Sequence, residues 1–143
     1  MLGQCYAYGK GVEIDKSAAF KFYEHAAEAG NVHAQCNVGI CYFNGTGVTV
    51  DKVEAVKWFR KAAESGDAKA SFNLACALKD GEGVTIDLVE SFKWFKVAAE
   101  GGISNAQWHL SLAYRSGEGV AINEQEADRW KRLALQGGYD LFE

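Results

Sequence analysis

The sequence has no run of lysine and arginine, no long apolar stretch and no recurring pair of cysteines, and each absence removes a class of protein. Its 143 residues carry 15 basic and 19 acidic side chains for a net charge of -4, a balance that repels a phosphate backbone unless the basic groups are segregated. Nucleic acid is therefore not expected as a partner. No segment approaches the ~18 apolar residues that cross a bilayer, and Met1-Leu2-Gly3-Gln4 lacks the charged start and apolar core of a secretory signal. The expectation is a cytoplasmic protein without membrane insertion. Cys5, Cys36, Cys41 and Cys76 show none of the regular pairing of a disulfide scaffold and read as reduced, partly buried thiols.

Signatures of chemistry are missing too. No G-x-S-x-G or S-x-x-K motif occurs, and no acid pair recurs at a position free of structural duty, so no catalytic residue and no cofactor are expected. His33 and Cys36 form an H-x-x-C pair that Cys76 could approach from a neighbouring helix. Tetrahedral zinc needs four ligands and no convincing fourth is visible, so no metal is expected. The Gly-x-Gly segments lack the third glycine and the preceding strand of a dinucleotide fingerprint, having Ile14, Val50, Ile86 or Ile122 instead.

What is present is a period. Gly9-Lys10-Gly11-Val12, Gly45-Thr46-Gly47-Val48, Gly81-Glu82-Gly83-Val84 and Gly117-Glu118-Gly119-Val120 recur 36 residues apart, which makes the chain a stack of supersecondary units. The whole of 1–143 reads as one repeat domain, with units of about 1–30, 31–66, 67–102 and 103–138, and 139–143 starting a further helix.

Each unit reads as two helices. Asp15, Asp51, Asp87 and Asn123 mark the start of the second, B, and Glu54, Glu90 and Glu126 three residues on complete a capping box. Helix B carries Ala55, Trp58, Phe59, Ala62 and Ala63 as one apolar stripe, with Trp58, Trp94 and Trp130 predicted as core rather than as a ligand-stacking ladder. Gly30, Gly66, Gly102 and Gly138 end it in a left-handed conformation. The first helix, A, starts near Asn31 or Asp67 and buries Ala34, Val38, Gly39 and Tyr42, or Ala70, Leu74, Ala75 and Leu78, or Ala106, Leu110, Ser111 and Tyr114.

The pattern Ala-x3-Leu-Gly-x2-Tyr-x2-Gly-x-Gly-Val-x2-Asp-x3-Ala-x2-Trp-[Tyr/Phe]-x-Lys-Ala-Ala-Glu-x-Gly, clearest over Ala34 to Gly66, resembles the Sel1-like repeat, a relative of the tetratricopeptide repeat. The likeness covers essentially the whole chain. It departs at Phe22, in place of Trp, and at Lys131 and Leu133-Ala134-Leu135 in the last unit, and the usual Pro after Gly-x-Gly-Val is absent because the chain has no proline. The resemblance implies an all-α, right-handed solenoid of four helix-turn-helix repeats and a non-enzymatic role in protein interaction, as a scaffold or adaptor in signalling assemblies. It implies too that A helices line the concave side.

Removing the core positions from helix A leaves a mixed aromatic and polar face, with Cys36, Ile40 and Cys76 among its members. The candidate partner-binding residues on it are His33, Asn37, Phe43, Lys69, Phe72, Asn73, Lys79, Asn105, Trp108, His109, Leu112 and Arg115. Phe72 and Trp108 suit anchoring of peptide side chains, Asn37 and Asn73 suit backbone amides, and Lys69, Lys79 and Arg115 suit an acidic group. The alternative is a small-ligand or glycan site at Trp108 with Asn105, His109 and Arg115. Met1 aligns with Asn37 and Glu143 with Gln35, so the sequence is either an excerpt of a longer array or a module whose Met1–Tyr8 stacks head to tail on Gly138–Phe142 of another copy.

Overall fold

The computed structural model of the protein describes residues 10–139, with side chains from Lys16 onward. It contains helices α1 (Lys10–Glu28), α2 (Val32–Asn44), α3 (Lys52–Glu64), α4 (Ala68–Asp80), α5 (Leu88–Glu100), α6 (Ser104–Ser116) and α7 (Glu124–Gln136), and no strand among the described residues. Substantial packing runs from each helix to the next in sequence, the quasi-linear arrangement of an all-α solenoid. Helices α2, α4 and α6 are the A helices; α3, α5 and α7 are the B helices.

The caps explain where the helices begin. The side chains of Asp51, Asp87 and Asn123 accept from the backbone N–H groups of Glu54, Glu90 and Glu126 at 3.1, 3.0 and 3.1 Å, satisfying donors that the first turn leaves unpaired. The reciprocal half of the expected capping box does not form. The N–H groups of Asp51, Asp87 and Asn123 instead donate to the carbonyls of Tyr42, Leu78 and Tyr114 near the end of the preceding A helix, at 2.8, 3.0 and 2.9 Å. Each loop thus folds back on its own A helix. Glu90 is released to pair with Arg60, whose Nη1 donates to Oε2 at 2.8 Å and ties α3 to α5 across the repeat boundary. That guanidinium holds the Glu90 carboxyl below its ordinary range.

The first unit departs from expectation. Helix α1 runs unbroken through Gly11, Val12 and Asp15, where a loop and a helix start were predicted. In the other units the second loop glycine rests on the preceding B-type helix, inside α1 for Gly47 and at the first residue of α3 and α5 for Gly83 and Gly119. A side chain on Gly47, Gly83 or Gly119 would strike the carbonyl of Lys16, Lys52 or Leu88 respectively.

The core is a seam of small and large apolar residues from both helix types. Val38, Leu74 and Leu110 of the A helices are fully buried, as are Ala55, Ala62, Ala98 and Ala127 of the B helices. Small residues on both helix types let the helices approach, while Leu74 and Leu110 of the A helices and Phe59, Phe95 and Trp130 of the B helices fill the space between. Trp94 and Trp130 are buried as expected. Trp58 is not: it is half-buried at the edge of the α1–α2 cluster, with the Lys61 ammonium 5.3 Å from its ring centroid. Buried polar side chains reach across helices, with the Ser91 and Ser111 hydroxyls donating to the carbonyls of Ala75 and Ala127 at 2.8 and 2.7 Å. The Nε2 groups of Gln35 and Gln107 donate to Ala27 and Ala99 carbonyls at 3.3 and 3.1 Å.

Candidate functional site

The A helices lie side by side, and between α2 and α4 they leave a cleft of about 430 Å³. Its floor is apolar: Ile40 and Phe43 from α2, Phe59 from α3, and Cys76 and Ala77 from α4. Phe59 is set low because its ring lies directly on Gly39, where an added Cβ would meet two ring carbons at 2.7 Å. Lys69 stands near one end of the cleft, close to the start of α4; Asp80, Glu82 and Asn44 stand at the other, and Asn73 lies on the wall between. The Lys52 ammonium is 4.9 Å from the Phe43 ring centroid and 3.5 Å from Glu82.

One repeat further on, the same place is shut. Phe95 replaces Phe59 and His109 replaces Asn73. The imidazole stacks on Phe95 with centroids 4.8 Å apart and rings at 15°, and Phe72 closes on both rings at 5.8 Å. What remains is about 10 Å³. Burial, reinforced by Lys79, lowers the pKa of His109, so the neutral ring is the form that fills the gap, with Nδ1 buried and without a protein partner. A second, more polar cleft of about 380 Å³ lies beyond, between Phe72, Asn105, His109 and Tyr139.

The candidate residues thus divide. Phe43, Lys69 and Asn73 meet in the α2–α4 cleft, and Phe72, Asn105 and His109 in the second one. Lys79 borders the gap that His109 fills. His33 is exposed and Asn37 half-buried, and neither lines either of these two clefts. Trp108 stacks on Tyr139 at 5.1 Å and 18°, Arg115 pairs with Asp128 of α7 at 3.0 Å, and Leu112 is exposed. Cys36, expected on the open face, is buried at 1% exposure, because its helix face turns toward Asp67 and Asn73 of the next unit. Sequence reasoning assigned Phe59 to the core alone; Gly39, where α4 and α6 have Ala75 and Ser111, was the signal that its ring lies close against α2.

Burial, followed by the Asp67 charge, pushes the Cys36 thiol up to about 12, and burial and Asp80 push Cys76 to about 11. Both are therefore protonated at neutral pH and weak as nucleophiles or metal ligands. Among the described residues no three His, Cys, Asp or Glu side chains gather as a metal site. Native Cys36 and Cys76 should react with iodoacetamide at pH 7.5 at least tenfold more slowly than in urea, read by mass spectrometry; equal rates would contradict their burial. Because both pKa values rise on folding above the ordinary 9.0, the stability they contribute is complete below about pH 9 and declines as pH climbs toward 11 and 12.

The Sel1 repeat family profile matches residues 1–31, 32–67, 68–103 and 104–139. The chain belongs to the Sel1 repeat family. Among solved structures, this Sel1 repeat chain is similar to a protective antigen of uropathogenic Escherichia coli with an SLR fold, at 38% identity and a TM-score of 0.82 over 85% of this chain and 26% of that one. It is also similar to a Sel1 repeat protein from Oxalobacter formigenes, at 36% identity and a TM-score of 0.80 over 86% of this chain and 51% of the other. The chain thus spans about a quarter and about half of these two relatives. Helicobacter pylori cysteine rich protein B, 20% identical with a TM-score of 0.70 over 93% of this chain and 96% of its own, shares the fold. No curated protein matches the sequence. Sel1 repeats generally serve as non-enzymatic protein-interaction scaffolds. No described helix of this Sel1 repeat chain is long and apolar enough to cross a membrane. The stacking contact expected between Met1–Tyr8 and Gly138–Phe142 falls mostly outside the described residues.

Proposed function

We propose that this Sel1 repeat protein binds a peptide segment of a protein partner along the concave face formed by α2, α4 and α6, without catalysis. The observation that carries the reading is the α2–α4 cleft, with an apolar floor of two phenylalanines and an isoleucine and charged groups at both ends. A cleft of about 430 Å³ falls at the small end of the range for ligand sites, roughly 300–1,000 Å³. It holds one or two side chains, while the adjoining helix face supplies further contact. The glycan alternative has less support: Trp108 is covered by Tyr139 and Arg115 is drawn to Asp128, which leaves neither free to present a sugar platform with Asn105 and His109.

Hydrogen exchange of the protein with and without peptides enriched from a random 12-residue display library tests this. Added protection should appear in α2, α4 and α6. Protection confined to α3, α5 and α7 would overturn the proposal.

A further inference from the structure

We infer that the α2–α4 cleft takes one apolar side chain from an extended peptide that places a basic residue toward Asp80 and Glu82 and an acidic residue toward Lys69. The inference deepens the peptide-binding reading and rests on it.

The first argument is size. Lys69 and Asp80 are eleven residues apart on α4, about 16 Å at the helical rise of 1.5 Å per residue. The cleft volume of about 430 Å³ admits side chains between α2 and α4 but not a whole helix of that length and about 10 Å diameter. An extended chain covers the same length in about five residues and can send a single side chain down to Phe43 and Phe59.

The second argument is charge. Neither Lys69 nor Asp80 forms an ion pair among the described residues, whereas Glu82 is shared with Lys52. Lys69 lies in the first turn of α4 and Asp80 is its last residue. Each sits at the helix end where the backbone dipole disfavours its sign, so side chain and helix end reinforce one another instead of cancelling. The cleft therefore presents an ammonium without an ion-pair partner among the described residues at one end and a carboxylate without one at the other, across an apolar floor. A segment reading base, apolar, acid complements all three parts.

The third argument is the repeat itself. The corresponding place between α4 and α6 is filled by His109 on Phe95, with about 10 Å³ remaining. Of these two places, the one with Asn73 is open. This protein carries its own template for closing it, the substitution Asn73→His.

The test selects peptides from a random 12-residue display library on the wild-type protein. Enriched peptides are then synthesised with a fluorescent label and their anisotropy measured against wild type, Asn73→His, Lys69→Glu and Asp80→Lys. The enriched sequences should share an apolar residue flanked within about three positions by a base on one side and an acid on the other. Asn73→His should weaken them at least tenfold. Each charge reversal should weaken them at least fivefold yet leave the melting temperature at or above that of wild type, because it puts the favoured sign at its end of α4. Should Asn73→His fail to fold, the charge variants decide alone. Enriched peptides that lack the pattern, or that bind all variants equally, overturn the cleft assignment and leave the concave-face reading standing. A selection that enriches nothing overturns both.

Discussion

Trp94→Ala should lower the stability of the protein by about 3–5 kcal/mol, the usual cost of removing a large aromatic from a packed core. Trp94 is 9% exposed and belongs to the larger core cluster, with Leu74, Phe95 and Leu110. Its loss removes apolar area and leaves a void that Ala98 and Leu74, themselves fully buried, have little freedom to fill. Trp130→Ala, at 5% exposure, should cost as much. Trp58→Ala should cost roughly half, since its ring is half-buried and lies beneath Lys61 and loses less area from water. Urea titration followed by far-ultraviolet circular dichroism ranks the three. Because a solenoid is held by nearest-neighbour interfaces, the Trp94 variant should also broaden the transition as the units on either side uncouple. An unchanged midpoint for Trp94→Ala would remove Trp94 from the core.

Gly83→Ala should cost about 3 kcal/mol or more. Gly83 has φ +76° and a Cβ there would run into the Lys52 carbonyl at the start of α3. The left-handed conformation alone costs a residue with a side chain about 1–2 kcal/mol. The clash adds to this because both sides are fixed backbone. The loop is pinned by the N–H groups of Gly81 and Glu82 on the Ala77 carbonyl at 2.8 and 3.1 Å and by that of Asp87 on Leu78 at 3.0 Å. Lys52 is held in the first turn of α3. Relief therefore requires one unit to shift against the next. Gly66 supplies the control, since at φ +96° it has nothing within 4 Å of an added Cβ. Gly66→Ala should then lose only the conformational part, about 1–2 kcal/mol. If the two variants melt together, the loop does not bear on the neighbouring unit as described.

Most of the scaffold was legible before any coordinates. Asp51, Asp87 and Asn123 announce helix starts because a short oxygen-bearing side chain reaches the N–H three residues on, and the stripe from Ala55 to Ala63 announces a buried face because 3.6 residues complete a turn. The candidate site was legible only in outline. Lys69, Asn73 and Phe43 stood on the right face, but so did His33 and Leu112, which line neither of the two clefts. Nothing in a linear pattern distinguishes a lysine at the mouth of a cleft from one in open solvent.

The repeat period, the helix pairs, the turns and the apolar seam follow from the sequence by itself, because each depends on residues within about one helical turn of each other or on strict recurrence. Tertiary structure decided whatever depends on a neighbour in the adjoining unit, such as the burial of Cys36 and the link from Arg60 to Glu90, and within a unit it decided that the cap N–H groups go to helix A carbonyls and that α1 runs unbroken through Gly11. It decided above all that the place between Phe59 and Asn73 is open while that between Phe95 and His109 is filled. Equivalent positions in a repeat share a backbone environment, but the space between two units depends on the particular side chains that meet across it, and these differ from one boundary to the next.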